Sequence, residues 1–75
     1  MLPLVSSDRV LAALKRLGCY EPRRASGSHQ PVCRDTPRGR LTAVVVLGKH
    51  EMKRGTLQRV LRLLEMTEQE FIDAL

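Results

Sequence analysis

The sequence predicts an α+β fold in which two helices cover one face of a three-stranded antiparallel sheet, followed by a short C-terminal helix. Apolar residues recur at helical spacing in one segment near each end of the chain. The stretch between these segments holds β-branched residues and turn signals. With 75 residues the chain has the size of one domain with a thin core, so residues 1–75 should form a single unit.

The first helix is predicted within the stretch SSDRVLAALKRLG. Its apolar residues recur at i, i+1, i+4 and i+7, which places them on one helical face: Val10, Leu11, Leu14 and Leu17. Ser6 or Ser7 can cap the start of this helix. Asp8 complements the helix dipole there, and Gly18 can end the helix.

Three strands are predicted between the helices. Residues 19–25 form the first strand, in which Pro22 suits an edge or a bulge because proline has no N–H group. The second strand covers about residues 29–34, and the apolar stretch LTAVVVL forms the best-covered third strand. Pro37 and Gly39 mark a tight turn between the second and third strands, which predicts a hairpin.

A second amphipathic helix follows the polar segment KHEMKRG, with its apolar residues at i, i+3, i+4 and i+7: Leu57, Val60, Leu61 and Leu64. Thr67 and Glu70 have the spacing of a capping box, so TEQEFIDAL is predicted to form a short terminal helix. The order α-β-β-β-α is similar to that of double-stranded-RNA-binding domains. This dsRBD-like outline does not by itself fix a function.

Positive charge is concentrated in the first 62 residues. They hold all 13 Lys and Arg against four acids, a net charge of +9, whereas residues 63–75 hold four acids and no base. A basic body favours a polyanion such as nucleic acid, although a solvated surface that binds nothing specific fits the charge alone equally well. Tyr20 and Phe71 are the only aromatic residues, which argues against RNA binding by base stacking. The acidic tail should pack on the helices, away from the face that RNA would use.

The two cysteines and two histidines do not have the spacing of a metal site. Cys19 and Cys33 should be free, buried thiols in a reducing compartment. A zinc site built from them with His29 and His50 would lack the usual close ligand pairs, and no cofactor is predicted. No stretch approaches the roughly 20 apolar residues of a membrane span, and MLPLVSSD does not resemble a signal peptide. We therefore expect a cytoplasmic protein with no membrane contact.

Four segments carry a resemblance to a known family: VLAALKRLGC, the triplet GSH, the turn PRGR, and EMKRGTLQRVLRLLEMTEQEF. In this order and at these spacings, the chain resembles the HicA (YcfA-like) toxins of bacterial and archaeal toxin–antitoxin pairs over nearly its whole length. The resemblance implies a dsRBD-like fold and a metal-independent endoribonuclease that cleaves mRNA, an mRNA interferase. It also implies a HicB-like antitoxin protein that covers the active face. The histidine after Gly-Ser is catalytic in that family, and here it is His29. We expect the toxin alone to be a monomer.

The residue types fit such chemistry. RNA cleavage needs a base that takes the 2′-hydroxyl proton and an acid that protonates the departing 5′-oxygen, and the substrate supplies the nucleophile. Histidine, with an ordinary pKa of about 6.5, is suited to either task. Basic side chains can stabilise the charge of the transition state, and the sequence has no cluster of acids to hold Mg²⁺. The candidate RNA-binding residues are two members of the triplet and six bases: Gly27, Ser28, Arg23, Arg24, Arg34, Lys49, Lys53 and Arg54.

Two departures from the family pattern lie close to this histidine. Gln30 and Pro31 follow His29, where the family usually continues with another histidine or an apolar strand residue. A bulge or an edge strand is expected there because Pro31 has no N–H group. The family's histidine near the end of the third strand is replaced by Leu47 or shifted to His50, which we expect to be an ordinary surface residue.

Two other functions fit the same residues. A non-catalytic RNA-binding module needs only the positive charges, and an interaction domain could use them to bind an acidic protein partner. A nuclease in addition requires His29, which should be exposed near the N-terminal end of its strand to reach a bulky polyanion. Gly27 fits either a close approach to phosphate or a plain hairpin turn.

Overall fold

The computed structural model describes residues 1–75. The elements in chain order are α1 (Ser7–Arg16), β1 (His29–Thr36), β2 (Gly39–Val46), α2 (Arg54–Leu63) and α3 (Glu68–Ala74). β1 and β2 form an antiparallel sheet, and α1 and α2 both pack on β2. The predicted α+β class is confirmed. No helix has the length and apolar character needed to cross a membrane.

α1 forms where the sequence predicts it. The Ser6 hydroxyl accepts a hydrogen bond from the Arg9 N–H at 3.2 Å, which caps the start of the helix. Beyond the other end, Gly18 has a φ of +92°, a conformation that glycine adopts without strain. Val10 and Leu14 are fully buried, so the apolar face predicted from their spacing is the face that packs on the core.

The sheet has two strands and not the predicted three, because residues 19–25 do not form a strand. Within this segment only Tyr20 pairs with the backbone of β1: its N–H donates to the Cys33 carbonyl at 2.9 Å, and the Cys33 N–H donates to the Tyr20 carbonyl at 2.8 Å. Pro22 has no N–H group to continue the pairing, and the chain bends there. The Tyr20 hydroxyl also donates to the Asp35 carboxylate at 2.8 Å, a hydrogen bond that raises the pKa of Tyr20.

β1 and β2 pair over their whole length, from His29 opposite Val46 to Thr36 opposite Gly39. A turn with the sequence Pro-Arg joins the strands and ends at Gly39, whose φ of +131° lies outside the range that other residues favour. The predicted hairpin is therefore confirmed. Both strands begin and end within two residues of their predicted bounds.

Pro31 lies inside β1 without interrupting the pairing. Successive residues of an antiparallel strand direct their backbone groups alternately toward and away from the partner strand. The Leu47 N–H donates to the Ser28 carbonyl at 2.7 Å. The backbone N–H and C=O groups of even-numbered residues in β1 therefore point toward β2, and those of odd-numbered residues point away from it. Cys33 fits this alternation because its backbone bonds Tyr20. The missing N–H of Pro31 therefore falls on the outer edge of the hairpin, so of the two expectations the edge position is confirmed and the bulge is absent.

One hydrophobic core lies between the hairpin and the helices. The helices contribute fully buried side chains, among them Leu14, Leu57 and Phe71. The sheet contributes residues that share one face of the hairpin: Val32, Ala43 and Val45. The other face of β2 is more open, since Thr42 and Val44 are exposed. The sheet is therefore covered by helices on one face, as predicted.

α3 carries the acidic tail and is fixed at both ends. The predicted capping box is confirmed: the Thr67 N–H donates to the Glu70 carboxylate at 3.0 Å, and the Glu70 N–H donates to the Thr67 hydroxyl at 3.1 Å. The backbone hydrogen bond from Thr67 lowers the pKa of Glu70. At the other end, the Arg16 guanidinium donates to the Ala74 carbonyl at 2.7 Å. The tail thus packs on the helices, as the sequence predicts.

Thr67→Ala should lower the free energy of unfolding by roughly 0.5 to 2 kcal/mol, because it removes the oxygen that caps α3. Urea unfolding followed by circular dichroism measures the difference. Thr67→Ser keeps the hydroxyl and serves as the matched control. An unchanged unfolding midpoint for Thr67→Ala would contradict a stabilising role for the cap.

Candidate functional site

His29 is the first residue of β1, and its side chain is exposed. Its backbone is held on the outer side by two hydrogen bonds: the His29 N–H donates to the Ser26 carbonyl at 3.1 Å, and the Ser26 N–H donates to the His29 carbonyl at 3.0 Å. On the other side, His29 lies opposite Val46 at the end of β2. The expected position, exposed at the start of the strand, is confirmed. A fixed backbone therefore presents an accessible imidazole.

Gly27 and Ser28 form the tight turn that leads into His29. Gly27 has a φ of +60°, in the left-handed region, and a Cβ atom there would meet nothing within 4 Å. Glycine is thus favoured by backbone conformation and not by lack of space. Ser28 is exposed, and its carbonyl accepts the Leu47 N–H, so the turn is tied to the chain beyond β2. Of the two interpretations of Gly27, the structure supports the tight turn.

Gln30 connects the loop before the turn to β1. Its side chain is 6% exposed, and its amide nitrogen Nε2 donates to the Arg23 and Pro31 carbonyls, each at 2.9 Å. This clamp places the backbone of Arg23 beside the residue that follows His29. The side chains of Arg23 and Arg24 are exposed, so this loop presents two guanidinium groups to solvent.

Lys49 and Lys53 lie on the other side of His29, in a cleft between the end of β2 and the start of α2. The cleft has a volume of about 320 Å³ and is lined by six residues: Val46, Lys49, Glu51, Met52, Lys53 and Thr56. Because Val46 is the strand partner of His29, one wall of the cleft lies directly beside the histidine. The two lysine side chains are exposed and can reach an anion there.

Ser7 fixes the loop that carries Lys49. The Ser7 side chain is buried, and its hydroxyl donates to the Val46 carbonyl at 2.7 Å while accepting the Lys49 N–H at 3.2 Å. The Ser7 N–H also donates to the Lys49 carbonyl at 3.0 Å. The start of α1 therefore holds the end of β2 and the following loop in one arrangement.

The start of α2 has backbone N–H groups without acceptors. Lys53 occupies the cap position and makes no side-chain capping bond, and the first turn contains no acid. The first N–H with an intrahelical acceptor is that of Leu57, which bonds the Lys53 carbonyl at 3.0 Å. Helix N-termini with free N–H groups attract anions, and here two lysines add to that attraction.

The bases near His29 are free of ion pairs. The three ion pairs of the chain lie elsewhere: Lys15 with Glu21, Arg38 with Glu65, and Arg40 with Asp35. Arg23, Arg24, Lys49 and Lys53 thus keep their charges available for a ligand. Glu51 is the one acid in the cleft lining, and it too has no ion-pair partner.

Two of the predicted RNA-binding residues are used inside the fold. Arg34 is five residues from His29 along β1, about 17 Å, and an odd separation puts it on the opposite face of the strand. Its guanidinium donates to the Leu64 and Glu65 carbonyls at 2.8 and 2.9 Å, at the end of α2. The structure therefore does not bring Arg34 to the histidine. Arg54 adjoins Lys53, but its Nε donates to the Leu2 carbonyl at 2.6 Å.

The remaining thiols and histidine lie outside this arrangement. Cys19 and Cys33 are free and buried, as predicted, and burial raises the pKa of the Cys19 thiol. His50 is exposed in the polar segment after β2. Nowhere do three or more His, Cys, Asp or Glu side chains converge in a way that could hold a metal ion.

A comparison with protein families identifies the chain. The family model described as "HicA toxin of bacterial toxin-antitoxin" matches residues 7–66, which is most of the sequence. The chain belongs to the HicA toxin family. The matched range runs from the first residue of α1 to the end of the α2 region, so it contains every residue of the candidate site, while α3 lies beyond it. No curated protein matches the chain.

Membership of the HicA family makes this chain the toxin of a toxin–antitoxin pair and implies a cognate antitoxin. HicA toxins are generally ribonucleases. Among the residues of the site, the one that sequence reasoning missed is Gln30, which the sequence presents only as a departure from the family pattern. Its role became visible from burial and from its bond to Arg23, and no local pattern in the sequence signals either.

Gln30→Met should loosen the loop of Arg23 and Arg24 while nearly keeping the volume of the buried side chain. The Arg23 carbonyl would lose its donor, so we expect a stability loss of about 1 to 3 kcal/mol and faster amide exchange over residues 20–28. Gln69→Met, which removes an exposed amide bonded to Asp73, is the matched control. Unchanged amide exchange over the loop in Gln30→Met would contradict the clamp.

Proposed function

We propose that this HicA toxin is a metal-independent endoribonuclease, an mRNA interferase, in which His29 is the catalytic residue. The observation that carries the proposal is the exposed imidazole on a fixed strand end, beside a cleft lined by two lysines without ion pairs. mRNA is the substrate, and the reaction takes place in the cytoplasm. A HicB-type antitoxin neutralises the toxin by covering this surface.

The reaction needs only one proton acceptor and one proton donor. The 2′-oxygen of the substrate attacks the adjacent phosphorus as His29 takes its proton, and the bond from phosphorus to the 5′-oxygen breaks. The departing 5′-oxygen gains a proton, which His29 can return, directly or through water. The products are a 2′,3′-cyclic phosphate and a 5′-hydroxyl. Because every atom of the nucleophile and leaving group belongs to the RNA, no cofactor is required.

Two groups of positive charge bind the RNA on either side of the scissile phosphate. Arg23 and Arg24 lie on the loop held by Gln30, and Lys49 and Lys53 line the cleft beside Val46. A strand of RNA that crosses His29 would contact both groups. Charges placed in advance around the phosphate stabilise the transition state without reorganising at the moment of reaction. The exposed Ser28 hydroxyl and the free N–H groups at the start of α2 add hydrogen-bond donors.

The lack of a converging acid cluster supports a mechanism without a metal ion. Nuclease sites that hold Mg²⁺ use carboxylates as ligands, and the cleft contains a single acid, Glu51. The unpaired bases take over the neutralisation of phosphate charge. Cleavage should therefore proceed unchanged in the presence of the chelator EDTA.

His29→Ala should lower the rate of RNA cleavage by about 10² to 10⁴-fold, because it removes the proton acceptor. RNA affinity should change by no more than about twofold, since the surrounding charges remain. Single-turnover cleavage and filter binding of the same oligonucleotide separate the two effects. His50→Ala removes the other exposed histidine and should leave both quantities unchanged.

The outcome of that experiment also decides between the candidate functions. Cleavage that survives in His29→Ala would contradict the catalytic assignment. If the starting protein binds RNA but does not cleave it, the chain is a non-catalytic RNA-binding module. A protein that does neither acts as an interaction domain.

RNA binding should weaken steeply with salt, because phosphate contacts supply most of the affinity. If Arg23, Arg24, Lys49 and Lys53 each contact one phosphate, the slope of log affinity against log salt is about −3 for single-stranded RNA. Lys53→Ala should make the slope shallower by about 0.7, whereas Arg62→Ala, on another part of α2, should leave it unchanged. Affinity that does not respond to salt would contradict this binding mode.

A further inference from the structure

The second strand of the hairpin has a free edge. β1 has neighbours on both sides, since it pairs with β2 and forms bridges with Tyr20 and Ser26, but β2 has no partner on its other side. The alternation established above directs the backbone N–H and C=O groups of Arg40, Thr42 and Val44 away from β1. These groups form a row of unpaired donors and acceptors, which is a template for a further strand.

A groove follows this free edge between β2 and α2. It has a volume of about 250 Å³ and is lined by seven residues: Thr42, Ala43, Val44, Thr56, Arg59, Val60 and Leu63. Thr56, Arg59 and Leu63 are spaced at i, i+3 and i+7, so α2 contributes one continuous stripe to its wall. Val44 and Leu63 are each 45% exposed and belong to the few large apolar side chains that face solvent.

We propose that this β2-edge groove binds an extended, acidic segment of the cognate antitoxin, which adds a third strand to the sheet. The backbone of the segment would pair with Thr42 and Val44, and its apolar side chains would cover Val44 and Leu63. The free edge from Arg40 to Val44 is about 17 Å long, enough for a strand of five residues. This inference rests on the proposed function only in naming the antitoxin as the partner.

The charge of the groove selects an acidic segment. Arg59 is the only charged residue in the lining, and it has no ion-pair partner in the chain. A carboxylate on the added strand can pair with it. A second copy of the toxin fits poorly, because symmetric pairing of two β2 edges would bring two Arg59 side chains and two chains of net charge +5 together. RNA fits poorly as well, because the exposed side chains of Val44 and Leu63 offer nothing to phosphate.

The groove adjoins the lysine cleft of the candidate site, since Thr56 lines both, but it contains none of the residues proposed to bind RNA. His29 belongs to β1 and bonds Ser26 on the side of that strand that faces away from β2, whereas the groove lies beyond β2. Strand addition can therefore anchor the antitoxin without using the residues that bind RNA. The remainder of the antitoxin is then free to extend across the end of the hairpin and cover His29.

Amide hydrogen exchange of the toxin, alone and bound to its purified antitoxin, tests the proposal. The N–H groups of Thr42 and Val44 should exchange fast in the free toxin and at least about tenfold more slowly in the complex. The N–H groups of Ala43 and Val45, which face β1, should be protected in both states. Exchange at Thr42 and Val44 that stays the same on complex formation overturns the proposal.

Matched variants test the two contributions to binding. Arg59→Glu should weaken antitoxin affinity at least about tenfold, while Arg62→Glu, with the same charge change outside the groove, should alter it no more than about twofold. Of the backbone groups, Val44→Pro removes one N–H, which points away from β1, and Pro31 opposite it shows that this hairpin accepts proline. Val44→Pro should weaken binding more than Val44→Ala does. Equal effects within each pair contradict strand addition.

Further measurements separate this proposal from the enzymatic one. Val44→Pro and Arg59→Glu should cleave RNA at the starting rate, and His29→Ala should bind the antitoxin through the groove with Thr42 and Val44 protected as before. Protection of these amides in the toxin alone at high concentration, together with a dimeric mass, would identify a second copy as the occupant and overturn the proposal. If the starting protein binds the antitoxin with Thr42 and Val44 protected but does not cleave RNA, the proposed nuclease function fails while the groove assignment stands.

Discussion

The pairing of β1 with β2 is the interaction on which the rest of the structure depends. Its register is set by the short turn that ends at Gly39, and it places Val32, Ala43 and Val45 on the face toward the helices. A shift by one residue would turn these side chains to solvent, because strand residues alternate between faces. The same register puts His29 opposite Val46, so the packing of the core and the position of the histidine have a common origin.

The sequence was sufficient for the elements whose signals are local. Helical spacing located α1 and α2, and the capping box located α3, because these features depend on neighbours a few residues away. The proposed strand at residues 19–25 failed because pairing depends on a distant partner. Within this segment only Tyr20 forms a strand-like pair with β1, and the chain bends at Pro22. A short segment between two glycine-containing turns fits a strand and a loop equally well when its partner is unknown.

Only part of the site could be predicted from the sequence, because the rest depends on contacts between residues that are distant in the chain. His29, Gly27 and Ser28 are adjacent in the chain, so the sequence could group them. Arg34 is also near in sequence, yet strand alternation carries it to the other face, where it bonds the end of α2. In the sequence, Gln30 is only a departure from the family pattern. In the structure its buried amide donates hydrogen bonds to the Arg23 and Pro31 carbonyls. The composition shows how many basic residues the chain has. Which of them point toward the site is determined by tertiary contacts, which the sequence does not show.

The hydroxyl of Ser7 has a consequence for how the toxin matures. It joins the start of α1 to Val46 and Lys49, residues about forty positions later in the chain. During synthesis the N-terminal helix must wait for this partner, and α2 and Phe71 of the core emerge later still. A nascent chain therefore cannot assemble the surface around His29 until translation is almost complete. The accessible imidazole and the lysines beside it are thus features of the finished chain and not of its first half.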